Sequence, residues 1–72
     1  MMELTYHEQL ERKQEAVRQL FRAAVDGNIT PGQFDDGVLQ LTEGQTLGMI
    51  HDLQVFVRNL TLESLSEFGA PQ

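Results

Sequence analysis

The stretch that most constrains the fold is residues 26–34, Asp-Gly-Asn-Ile-Thr-Pro-Gly-Gln-Phe, which ends one helix and starts the next. Gly27 suits the position just past a helix end, where the chain often turns left-handed at little cost to glycine. Thr30 and Gln33 have the T-x-x-Q spacing of a capping box, and Pro31 falls at the first helical position. The stretch therefore predicts a helical hairpin with a short turn.

Apolar residues at helical spacing extend this hairpin into a bundle. A second capping box, Thr5 with Glu8, starts the first helix, and Thr61 has the features of an N-cap for a short last helix that carries Leu62 and Leu65. The predicted fold class is all-α: a small bundle of three main helices, the hairpin plus a central apolar helix, with a short C-terminal fourth helix. The chain is predicted to form one domain, 1–72, with helices at about 6–26, 31–42, 46–59 and 62–68.

The apolar stripes of the predicted helices indicate which side chains form the core. On the first three helices the stripes comprise Tyr6, Leu10, Val17, Leu20, Phe21, Ala24, Phe34, Val38, Leu41, Met49, Ile50, Leu53, Phe56, Val57 and Leu60. Leu39 and Val55 fall outside these stripes, and Leu47 lies at the edge of one. We expect Val55 to be exposed, and Leu39 either to cover a neighbouring helix or to contact a partner.

The formal net charge of −6 is concentrated in the second part of the chain. Residues 27–72 contain six acidic residues against a single base, Arg58. Direct nucleic-acid binding needs clustered Lys and Arg to displace counterions from phosphates. The hairpin is therefore not expected to act as a DNA-binding helix-turn-helix. Asp35 and Asp36 also have a simpler explanation, since acids near a helix start are stabilised by the helix dipole.

No residue set in the sequence predicts catalysis, a cofactor or a metal site. The chain has no cysteine, which excludes a disulfide and a thiolate zinc site. His7 and His51 each have one acidic neighbour, Glu11 and Asp52, whereas a metal site needs three or four converging ligands. A 72-residue helical body also has little volume for an active-site pocket. We expect a protein that is not an enzyme.

The turn at residues 26–34 resembles short segments of two known families. Asp26, Asn28 and Thr30 resemble the opening of an EF-hand calcium loop, but Pro31 replaces its turn glycine and Gly37 its bidentate glutamate, so calcium binding is not expected. The turn also resembles that of the short helical hairpins called SHOCT domains. That resemblance covers less than half of the chain, assigns no family, and is carried by Gly27, Ile29, Thr30 and Phe34.

The function expected from these patterns is protein binding. The leading hypothesis is a small acidic regulator or inhibitor that covers a surface of a larger protein, by analogy with phage- or plasmid-type modulators of host machinery such as RNA polymerase or a CRISPR-type effector. One alternative is a nucleic-acid mimic that occupies a basic groove, and another is a self-assembling structural adaptor. The residues expected to contact the partner are Asp35, Asp36, Leu39, Glu43, Leu47, Asp52 and Val55.

The expected setting is cytoplasmic. The longest uninterrupted apolar run is too short to cross a bilayer, and no basic-then-apolar start indicates export. The expected partner is a larger protein, and components of nucleic-acid-handling complexes are among the candidates. Neither a membrane nor nucleic acid itself is expected as a partner. A domain this small lacks disulfides and buries little surface, so a homodimer is compatible with the sequence.

Overall fold

The computed structural model describes residues 4–67, with side chains described through residue 64. Over that range the chain forms three α-helices and no β-strand: α1 (Tyr6–Val25), α2 (Pro31–Thr42) and α3 (Leu47–Glu67). The all-α prediction is confirmed. Each pair of helices is in contact, and α2 and α3 both pack mainly against α1. No helix in this part of the chain is long and apolar enough to cross a membrane.

Both predicted capping boxes are present. The Thr5 hydroxyl accepts from the backbone N–H of Glu8 at 3.1 Å, and the Glu8 carboxylate accepts from the backbone N–H of Thr5 at 3.0 Å. Thr30 and Gln33 make the same two bonds at the start of α2, at 3.1 and 2.8 Å. Gly27 has a φ of 82°, as expected for a left-handed turn after α1. These local interactions position the hairpin.

The predicted break between a third and a fourth helix is wrong. α3 continues through Thr61, whose hydroxyl donates to the carbonyl oxygen of Val57 one turn earlier at 3.0 Å. The side chain therefore bonds within α3 and caps no new helix. No glycine or proline lies between residues 49 and 67 to stop the helix. The predicted last residue of the fourth helix, Phe68, lies outside the described residues.

The core is small and lies between the three helices. Among the described residues, Val17, Met49 and Leu53 are the fully buried apolar side chains. Half-buried apolar residues surround them: Leu10, Phe34, Val38, Leu41, Phe56, Val57 and Leu60. Tyr6 was expected on the buried stripe but is 48% exposed. It is the first residue of α1.

Candidate protein-interaction surfaces

One group of predicted partner residues lies together on the exposed side of α2. Leu39 is 63% exposed, and Asp35, Asp36 and Glu43 are four residues before, three before and four after it. Helical geometry brings residues at these spacings to one side. We name these four residues the acidic α2 surface. Within the described part of the chain, none of its carboxylates forms an ion pair.

The helix dipole does not explain these acids. Thr30 is the N-cap of α2, and the first turn contains no acidic residue. Asp35 and Asp36 therefore lie in the second turn, where the dipole effect has largely faded. Glu43 is the C-cap residue, at the negative end of the dipole, where an acid is unfavourable. The dipole explanation given from the sequence is thus weakened for Asp35 and Asp36, and the dipole disfavours Glu43.

A second exposed surface lies along α3. Leu47 is 84% exposed, Val55 38% and Leu62 56%, and they lie on one side of the helix with His51 and Arg58. We name these five residues the apolar α3 surface. Its middle contains a shallow depression of about 310 Å³, lined by His51, Gln54, Val55 and Arg58.

Leu62 is the member of the apolar α3 surface that the sequence prediction missed. The predicted break at Thr61 assigned Leu62 to a separate helix. It lies seven residues after Val55, which is two turns of one continuous α-helix. That spacing would have placed it beside Val55 had the helix been extended. The exposure predicted for Val55 is confirmed, and Leu39 and Leu47 are also exposed, while the role of these three residues in binding stays a prediction.

Asp52 was grouped with the partner residues, but the structure places it apart from the α2 acids. It is half-buried and accepts a hydrogen bond from the Tyr6 hydroxyl, which connects α1 to α3. This hydrogen bond is the main cause that raises the pKa of Tyr6, because the carboxylate stabilises the neutral phenol; burial and the carboxylate charge act in the same direction. Asp52 also lies 3.6 Å from the His51 ring. Its role in partner binding stays a prediction.

Two grooves run beside α1, and neither was predicted. The groove between α1 and α2 encloses about 600 Å³ and is mostly uncharged. The groove between α1 and α3 encloses about 320 Å³. Its lining residues are Arg18, Phe21, Arg22, Val25, Leu60, Glu63 and Ser64. Arg18 is already engaged there, since it bonds Glu15 at 3.0 Å and its guanidinium carbon lies 5.3 Å from the centre of the Phe56 ring.

The histidines lie on the outside of the bundle. His7 is 3.4 Å from Glu11 on α1, and both side chains are well exposed. Within residues 4–67, no three His, Asp or Glu side chains are arranged to hold a metal ion. The features that distinguish the surface are therefore exposed apolar side chains and the unequal distribution of charge around them.

Comparison with known proteins identified no relative. No family model matches the chain, and no match was found among curated proteins or among solved structures.

Proposed function

We propose that this chain is a small non-enzymatic regulator or inhibitor that binds a larger protein through the acidic α2 surface. The observation that carries the proposal is Leu39, a leucine 63% exposed with three acids around it. An apolar side chain within a polar rim is a common arrangement at protein interfaces. The surface fits a partner with an apolar pocket and a basic rim.

Nucleic-acid mimicry is less well supported by the same geometry. Asp35 and Glu43 are about 12 Å apart along the helix axis. A DNA duplex carries roughly seven phosphate charges over that length, whereas α2 offers three carboxylates. A leucine in the middle of the charges would also not imitate any part of a phosphate backbone. The basic rim of the partner is still typical of nucleic-acid-handling proteins, so an RNA polymerase or a CRISPR-type effector remains within the proposed class of targets.

The proposal is tested by capturing partners from a lysate of the encoding cells on the immobilised chain. Leu39→Ala removes the central side chain of the surface, and Val25→Ala is the matched control because Val25 is 44% exposed on α1. We expect a partner that the wild type and Val25→Ala retain and that Leu39→Ala loses. Removal of a central interface residue typically weakens binding by about 30-fold.

The partner must then be purified and titrated against both variants. Equal affinity for Leu39→Ala and Val25→Ala would place binding elsewhere on the molecule. Affinity should also fall as salt is raised from about 0.1 to 1 M, because the acids of α2 are exposed to screening. An affinity that is unchanged by salt would contradict a role for the acidic rim.

A further inference from the structure

The fold leaves much apolar surface uncovered for its size. Within the described residues three apolar side chains are fully buried, while six large ones are more than a third exposed. Four of these six belong to the two surfaces defined above: Leu39 on α2, and Leu47, Val55 and Leu62 on α3. Small domains without disulfides or metals commonly gain the missing burial by self-association.

The charges of the two surfaces are opposite. The acidic α2 surface has three carboxylates and no base, whereas Arg58 is the charged member of the apolar α3 surface, and the Asp52 carboxylate that lies 3.6 Å from His51 accepts a hydrogen bond from Tyr6. The described acids of α3 lie toward α1: Asp52 bonds Tyr6, and Glu63 lines the groove between α1 and α3. Pairing α2 with α2 would bring acids together, and pairing α3 with α3 would oppose the two Arg58 side chains. Charge thus favours contact between unlike surfaces.

The depression on α3 presents polar groups of His51, Gln54 and Arg58 to the carboxylates of α2, and Val55 beside them is available for contact with the exposed Leu39. Because α2 and α3 are consecutive and in contact, one molecule presents both surfaces. We propose that two copies of this chain form a two-fold dimer in which the acidic α2 surface of each copy packs against the apolar α3 surface of the other, so that the second copy and the larger partner of the proposed function compete for the acidic α2 surface. Both contacts are then equivalent, as two-fold symmetry requires.

Charge reversal tests this arrangement by sedimentation over a concentration series. Asp35→Lys/Asp36→Lys places bases opposite Arg58, and Arg58→Glu places an acid opposite the α2 acids. Each variant alone should raise the dimer dissociation constant by at least about tenfold. An equimolar mixture should form a heterodimer close to wild-type affinity, because both of its contacts again pair opposite charges. Arg12→Glu, the same change on exposed α1, should leave the dimer intact.

The outcomes are decisive in both directions. A wild-type chain that stays monomeric at about 0.5 mM, a mixture that stays monomeric, or a dimer that Arg58→Glu does not weaken would each overturn the proposal. Oligomers that keep growing with concentration would exclude a closed pair. Circular dichroism checks that each variant is helical. Glu43→Lys, at the C-cap outside the helix interior, replaces the double variant in the mixing experiment if that variant does not fold.

Discussion

Replacement of Gly37 by alanine measures how closely α1 and α2 pack. A Cβ at this position would lie 2.7 Å from Cδ1 of Leu20, closer than real contacts allow, and 3.1 Å from Cδ2, which is a tight contact. Alanine in place of glycine in a helix interior stabilises the folded state by about 1 kcal/mol, whereas overpacking destabilises it by about 1–3 kcal/mol. Leu20 is half-buried beside an open groove, so its side chain can move and the overpacking cost should be about 2 kcal/mol. Gly37→Ala should therefore destabilise by about 1 kcal/mol, a fall in Tm of about 4–8 °C.

A double-mutant cycle separates the two contributions. With Leu20→Ala present, the added methyl has space, and Gly37→Ala should then stabilise by about 1 kcal/mol. Gly48→Ala is the control, because a Cβ there meets nothing within 4 Å. It should stabilise by up to about 1 kcal/mol in both backgrounds. Urea titrations followed by circular dichroism give the four free energies of unfolding. If Gly37→Ala stabilised the wild type as much as Gly48→Ala does, the close approach of the two helices would be wrong.

Five further substitutions test local interactions. Thr30→Ala should cost about 1 kcal/mol as a lost N-cap, whereas Thr61→Ala should stabilise by about 0.5 kcal/mol because Thr61 lies inside a helix; thermal melts compare the two. The pKa of Tyr6 is raised above 10.0, so the stability that neutral Tyr6 gives the fold is fully present below pH 10 and is lost as pH rises through the folded pKa. Tyr6→Phe should remove that loss of stability in alkaline melts. The backbone hydrogen bond with Thr5 lowers the pKa of Glu8 below 4.5, so its contribution is present above that pH and lost in acid, a loss that Glu8→Gln should abolish in acid titrations. Glu43→Lys should raise the free energy of unfolding by about 0.3–1 kcal/mol in urea titrations, because a base suits the helix C-terminus.

The helical hairpin was predictable because its determinants are local. Thr30 and Gln33 are three residues apart, and Gly27 needs only its own φ angle to end α1. The extent of α3 was not predictable in the same way. A threonine at an N-cap and one inside a helix look identical in sequence, and Thr61 is decided by tertiary packing, since Leu60 lies against the core beside it. The one usable local signal was the lack of glycine and proline between residues 49 and 67.

The candidate surfaces were predictable to a similar degree. Exposure of Leu39 and Val55 follows from their position off the apolar stripes, which helical periodicity reveals. The separation of Asp52 from the other acids does not follow from any periodicity. It depends on a hydrogen bond with Tyr6, 46 residues earlier in the chain. A contact of that sequence separation depends on how the helices are arranged in the bundle, so it becomes visible only in the folded structure.

The acids of α2 connect stability with function. α2 is only 12 residues long, includes two glycines, and has no base in its last turn, so its own helical preference is weak and its caps and packing must hold it in place. An acid at position 43 weakens the helix further. If Glu43→Lys raises the free energy of unfolding while it weakens dimer formation or partner binding, the acid is there for association and not for the fold. A loss of stability together with a loss of binding would instead mean that Glu43 acts through the structure of α2.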